Sequence, residues 1–148
     1  MCILFADDNP DIRLMVKLLL ERRRPDACLT TVADGEEAVA LLQAGHIFDL
    51  ILLDHHMPPG TFGGVWTLKQ VQQLTPQTPV LFLSAYTSRK DIERARAGGA
   101  SGYLSKSVIA QRQLLTCLLD LDWAGLASLA DNKGLWLFEA PVPIVQLA

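Results

Sequence analysis

Asp7 and Asp8 close the apolar stretch of residues 2–6, Asp54 closes Leu50–Leu53, Ser84 follows residues 80–83, and Lys106 stands just past residues 102–104. Three carboxylates gathered at one place would repel and raise one another's pKa. They would favour a hard divalent cation such as Mg²⁺, which takes a few carboxylates, water and a phosphate oxygen. A hydroxyl from Ser84 and an ammonium from Lys106 could meet the oxygens of a phosphoryl group, the second as a point charge. Asp54 ends a run of four apolar residues, where a carboxylate is costly unless paired, solvated or bound to a cation. It is therefore the candidate nucleophile for an aspartyl-phosphate intermediate. Each residue has a plainer reading on its own. An acidic pair suits the start of a helix, a strand-end serine caps backbone, and a lysine is usually a solvated surface charge. Their shared placement at the ends of apolar runs favours the joint reading.

Those runs must be brought side by side. Cys2–Ala6, Leu50–Leu53, residues 80–83 and residues 102–104 show no polar alternation and read as buried parallel strands, with Cys28–Val32 a weaker fifth. Helical patterns alternate with them. Asn9 is placed as an N-cap with Pro10 at the first helical position, and Ile12, Met15, Val16, Leu19 and Leu20 form one face. Arg22, Arg23 and Arg24 suit the negative end of that helix. Asp34 and Glu37 have capping-box spacing before Ala38, Leu41 and Leu42, and Gly45 ends the segment. A third helix is expected over residues 65–74. A fourth starts near Ser88, with Asp91 in capping-box position, and ends at Gly98 and Gly99. A fifth buries Leu114, Leu115, Leu118 and Leu119. Five strands alternating with five helices predict an α/β doubly wound, three-layer architecture around a parallel sheet. Open sheets of this kind bind ligands at the carboxyl ends of their strands, where the residues named above would converge.

The 148 residues suffice for one domain with a substantial core. We divide them into residues 1–120, the domain that carries the site, and residues 121–148, a C-terminal extension. In the extension, residues 123–129 suit a short helix, residues 131–134 a turn, and residues 135–138 and 142–145 short apolar strands. Too small to bury a core alone, it must pack on the domain, on a second copy, or on further sequence, as a linker or a dimerisation segment. A net charge of −3 argues against general nucleic-acid binding. Cys2, Cys28 and Cys117 are odd in number and widely spaced, which suits a reducing compartment. No apolar run approaches the ~20 residues needed to cross a bilayer. The expectation is a cytoplasmic protein with no membrane contact.

Ala6-Asp7-Asp8-Asn9-Pro10, Leu53-Asp54-His55-His56-Met57-Pro58, Leu83-Ser84-Ala85 and Gly99-Ala100-Ser101-Gly102-Tyr103-Leu104-Ser105-Lys106 occur in this order. Over roughly residues 1 to 120 the chain strongly resembles the receiver domains of two-component response regulators, most of all those fused to helix-turn-helix transcription regulators. The resemblance implies the flavodoxin-like receiver fold with strand order 2-1-3-4-5, which makes the first and third strands neighbours. It implies that Asp54 accepts a phosphoryl group from a sensor histidine kinase or phosphotransfer protein. Mg²⁺ would be held by Asp7, Asp8, Asp54 and the backbone carbonyl of His56. Ser84 and Lys106 would contact the phosphoryl group, and Tyr103 would turn inward as a switch when Ser84 moves; an aromatic on a short strand is otherwise core or partner surface. Such a protein is not an enzyme beyond catalysing its own phosphorylation and dephosphorylation. Its output would run through the fourth helix and fifth strand, to a homodimer, to a partner, or to DNA by way of an output domain outside this sequence.

Two stretches depart from the family pattern. Residues 58–64 are longer and richer in glycine than the usual loop after the phosphoacceptor, and Ser107 stands where a proline is common after the lysine. They keep a second reading in view, a receiver-like interaction module that does not use phosphate. An aspartate-based phosphatase or nucleotide-dependent enzyme ranks last, because no Gly-rich phosphate loop follows the first strand and Asp8 is followed by Asn9-Pro10 instead of a D-x-D pair. His55 and His56, on an extended segment, are expected to point to opposite sides. A metal shared between them is therefore not expected, and His56 would tune access to Asp54.

Overall fold

The computed structural model describes residues 1–58, 60, 63–130 and 134–138. Five parallel strands form as expected: β1 (Cys2–Ala6), β2 (Cys28–Val32), β3 (Leu50–Leu53), β4 (Val80–Ser84) and β5 (Gly102–Ser105). A sixth, β6 (Leu135–Leu137), joins them, and the order across the sheet is β2-β1-β3-β4-β5-β6. β6 runs antiparallel to β5, placing Trp136 opposite Tyr103 and Leu135 opposite Leu104. The sheet is thus the expected parallel one with an antiparallel strand on one edge. Gly102 is required at that edge, because a Cβ there would lie 2.8 Å from the Trp136 carbonyl oxygen and 2.5 Å from Leu81 Cδ2. The expectation of a strand over residues 142–145 falls outside the described residues, as does most of the turn over residues 131–134.

Alternation along each strand sorts the core into two layers. Ile3, Phe5, Leu50, Leu52, Leu81, Leu83 and Leu104 face α1 (Pro10–Arg23), α5 (Arg112–Leu119) and α6 (Trp123–Leu129), whose Val16, Leu20, Leu115, Leu118 and Leu126 cover them. Leu4, Ala6, Ile51, Leu53, Phe82 and Tyr103 face the other way. They meet Ala38 of α2 (Gly35–Gln43), Leu68 and Val71 of α3 (Gly63–Leu74), and Ile92 and Ala95 of α4 (Arg89–Ala97). The extension beyond residue 120 therefore packs on the same core through Leu126 and Leu135.

The helix starts follow the sequence signals. Asn9 Oδ1 accepts the Asp11 N–H at 2.9 Å and Asp34 Oδ1 accepts that of Glu37 at 2.8 Å. Glu37 reaches back one residue further than a capping box requires, accepting from the Ala33 N–H. Of the three arginines ending α1, Arg24 does more than meet the dipole. Its guanidinium sits 2.6 Å from Asp120 Oδ1, tying the end of α1 to the end of α5.

α3 begins at Gly63, two residues earlier than the pattern indicated, and the reason lies in the glycine-rich stretch. A Cβ on Gly63 would overlap the Met57 carbonyl, and one on Gly64 would stand 2.5 Å from the Asp54 carbonyl oxygen and 2.8 Å from His55 Cα. The Gly64 N–H donates to the His55 carbonyl at 3.1 Å. These two glycines let the helix start directly against the backbone that presents Asp54.

Candidate functional site

β1 and β3 are neighbours, with Ala6 level with Leu53, so Asp7 and Asp54 emerge side by side. The Asp54 N–H donates to the Ala6 carbonyl (2.9 Å) and the Asp7 N–H to that of Val32 (3.1 Å), which extends the ladder past the strands and fixes both residues. Asp7 is wholly buried and Asp54 nearly so, whereas Asp8 is exposed at the rim. Carboxylate oxygens of the three lie within 4.8 Å of one another.

Lys106 is delivered from the far side. Its N–H donates to the Ser84 carbonyl (2.9 Å), and its Nζ stands 2.7 Å from Asp7 Oδ2 and 3.5 Å from Asp54 Oδ2. At the position where a proline was expected, Ser107 is held by a local hydroxyl turn. Its Oγ lies 2.8 Å from that of Ser105 and its N–H donates to the same oxygen, so two serines fix the backbone after the lysine.

The electrostatics of the cluster fit a divalent cation. Burial, then the Asp7 carboxylate, push the Asp54 carboxyl up to about 7. Lys106 opposes this, Asp8 adds to it, and the His56 backbone N–H, donating to Asp54, also opposes it. With all three aspartates ionised, one ammonium leaves two negative charges uncompensated among oxygen ligands of the kind Mg²⁺ takes. Asp7, Asp8 and Asp54 are the side chains that would hold such an ion.

Tyr103 was expected to turn inward when Ser84 moves, but its ring is already inside, linked to Ser84 through Tyr86. Ser84 Oγ accepts the Tyr86 N–H at 3.1 Å, the capping role that a strand-end serine plays in any fold. Tyr103 is already fully buried, its hydroxyl donating to the Tyr86 carbonyl. Burial pushes its pKa up to about 12. Its ring lies 5.9 Å from that of Phe82 and packs edge-on against Trp136 at 6.2 Å.

The expectation for the histidine pair is overturned. His55 and His56 do not diverge: their rings sit 4.7 Å apart, and each presents Nε2 to the same oxygen, Asp91 Oδ1, at 3.3 and 3.2 Å. The segment after Asp54 bends rather than running extended, because α3 starts so close behind it. Buried beneath Phe82 and Tyr103, His55 has its pKa lowered to about 4 by desolvation, which the nearby Asp91 opposes. Asp91 registered in the sequence only as a helix-start residue. It does serve there, its N–H donating to Ser88 Oγ, but its carboxylate is also buried and accepts the Ser88 hydroxyl at 2.6 Å. Burial opposes its ionisation, yet the Ser88 hydrogen bond and the two histidines outweigh it and hold its pKa below the usual range. A second participant missed in the sequence is Arg13, whose Nη1 donates to the Asp7 carbonyl at 2.6 Å. Nothing in the pattern of α1 distinguishes it from a surface arginine.

Comparison with known proteins follows the same outline. The profile of the response regulator receiver domain matches residues 3–119. The chain belongs to the response regulator receiver family. It is 37% identical to the response regulator protein PilR of Pseudomonas aeruginosa over 105 residues, which cover 71% of this chain and 22% of PilR. It is 30% identical to the oxygen regulatory protein NreC of Staphylococcus haemolyticus over 115 residues, 78% of this chain and 52% of that protein. The chain thus spans about a fifth to a half of these relatives. Among solved structures it is similar to the chemotaxis response regulator CheY4 of Vibrio cholerae, with 33% identity and a TM-score of 0.65 over 82% of this chain and 95% of that one. It is also similar to a LuxR-family two-component response regulator from Aurantimonas, with 26% identity and a TM-score of 0.69 over 81% and 83%. Among the described residues, no helix of this receiver is long and apolar enough to cross a membrane.

Proposed function

We propose that this receiver is an active phosphoacceptor of a cytoplasmic two-component pathway, taking a phosphoryl group onto Asp54 from the phosphohistidine of a sensor kinase or phosphotransfer protein. The observation that carries the reading is a buried Asp54 set beside a second buried carboxylate, Asp7, with the Lys106 ammonium between them at 2.7 and 3.5 Å. That arrangement is expensive for a merely structural cluster and suited to a charged guest.

In the transfer, an Asp54 carboxylate oxygen forms the bond to phosphorus as the nitrogen–phosphorus bond of the donor breaks, and the imidazole leaves with the electron pair. Asp7, Asp8, Asp54 and the His56 carbonyl would hold Mg²⁺, which would supply positive charge against the phosphoryl oxygens and offset the repulsion among the aspartates. Lys106 exchanges part of its contact with Asp7 for a phosphoryl oxygen. Ser84 gives up the Tyr86 N–H and turns its own O–H to another, and the loop carrying Tyr86 follows. Tyr103 senses this because its hydroxyl is bonded to the Tyr86 carbonyl. α4, whose buried residues are Asp91, Ile92 and Ala95, is the element that responds. The protein catalyses only its own phosphorylation and dephosphorylation. Output passes through α4 and β5 to a partner, a homodimer, or an output domain that contacts DNA.

Incubation with acetyl phosphate tests the reading by intact mass. One added phosphoryl group, requiring Mg²⁺ and absent in Asp54→Asn, supports it. A folded protein that gains none, and binds neither Mg²⁺ nor beryllofluoride, would instead be a phosphate-independent interaction module.

A further inference from the structure

Outside the aspartate cluster, His55, His56 and Asp91 form a second group of ligating side chains whose donor atoms all lie within 4.8 Å of one another. They come from two elements: the histidines follow β3, and Asp91 opens α4. Zinc–nitrogen and zinc–oxygen bonds of about 2.0–2.2 Å at tetrahedral angles put neighbouring donors about 3.3–3.5 Å apart. The two Nε2-to-Oδ1 separations are 3.3 and 3.2 Å, close to the edge of such a tetrahedron. We propose that His55, His56 and Asp91 form a site for a first-row transition ion of the Zn²⁺ class, distinct from the Mg²⁺ site.

The chemistry of the donors separates the two sites. Oxygen-only ligands suit Mg²⁺, whereas a pair of imidazoles with one carboxylate favours a first-row transition ion over Mg²⁺. The carboxylate is oriented as a ligand needs: Asp91 Oδ2 accepts the Ser88 hydroxyl at 2.6 Å, which aims Oδ1 at the histidines. Burial of His55 excludes water from one side, and the His56 side chain, 26% exposed, leaves an entry path on the other. Arg94 Nη1 is 3.9 Å from the same oxygen, and its side chain is about half exposed. A bound ion would join the residues after the phosphoacceptor to the first turn of α4 and so hold that helix in its present seat. Ion binding at this site does not require a phosphoryl group on Asp54.

Cobalt is the probe, because tetrahedral Co²⁺ absorbs strongly in the visible while octahedral Co²⁺ absorbs weakly. Titration of the full chain is expected to give intense bands saturating at one ion per chain, displaced by Zn²⁺ but not by Mg²⁺. His56→Gln and Asp91→Asn should abolish them, Ser88→Ala should weaken binding by about tenfold or more, and Asp54→Asn should retain them. Circular dichroism of each variant separates loss of ligand from loss of fold. Weak octahedral bands alone would overturn the proposal. So would bands that vanish in Asp54→Asn while surviving in His56→Gln and Asp91→Asn, or a near-ultraviolet thiolate charge-transfer band placing the ion on Cys2 and Cys28.

Discussion

At the scale of single residues, Asp54 carries the sharpest consequence of burial. Its carboxyl titrates near 7 in the fold, against an ordinary value near 3.8, so between those values the folded state holds a proton that the unfolded state has lost. Stability from this group is complete below about pH 4 and declines as pH rises toward 7, where the buried charge must be borne in full. Asp54→Asn should therefore be more stable than the wild type at pH 8 in EDTA, and the difference should shrink toward zero near pH 4. Saturating Mg²⁺ should narrow it at pH 8. Denaturant midpoints at the two pH values measure this, and an asparagine variant no more stable at pH 8 would contradict it. His55 acts in the opposite sense in both proteins: its lowered pKa makes the fold lose stability as pH falls from 6.5 through about 4. Comparing variant with wild type cancels that contribution.

Asp7, Asp8, Asp54 and Lys106 were legible in the sequence because strand ends are legible: a buried run stops and a charge follows. Asp91 was not, since its capping-box position accounts for a carboxylate without saying that the carboxylate is buried. The convergence of the histidine pair is not legible in the sequence, because alternation applies to an extended chain and here the chain bends.

Elements were read well where hydrophobic period and caps agree, as in α1, α2 and β1 through β5. The start of α3 was not, because Gly63 and Gly64 act through contacts with Met57 and Asp54 that no local pattern records. A methyl group at Gly64 must displace the Asp54 carbonyl or the Phe82 ring. Gly64→Ala should cost about 1–3 kcal/mol and slow phosphorylation at saturating acetyl phosphate, since the Asp54 carbonyl, 2.5 Å from the added methyl, is the nearest of the crowded atoms. Unfolding curves and the rate of mass gain check both halves; an alanine variant with unchanged stability and rate would show that the helix start has room to shift.

Across the whole molecule, β6 turns the fifth strand from an edge into an interior strand and sets Trp136 edge-on against Tyr103. The sequence marked residues 135–138 as a short strand but held no sign of its neighbour, because pairing partners are chosen by the shape of the assembled sheet. If the aspartyl phosphate reaches Tyr103 through Ser84 and Tyr86, Trp136 lies in the path. Beryllofluoride with Mg²⁺ should change the tryptophan emission of the wild type and leave that of Trp136→Phe nearly unchanged, with Trp66 and Trp123 as the remaining fluorophores. An equal response in both would place the rearrangement away from this edge.

The central claim is that one carboxylate, Asp54, carries the phosphoryl group. Borohydride reduces an acyl phosphate to the alcohol, so reduction after acetyl phosphate treatment converts a phosphorylated aspartate to homoserine, which peptide mass spectrometry locates. Homoserine at position 54 alone, formed only when Mg²⁺ was present, is the predicted result. Homoserine at Asp7 or Asp8, or none in a folded protein shown to bind Mg²⁺, would contradict it.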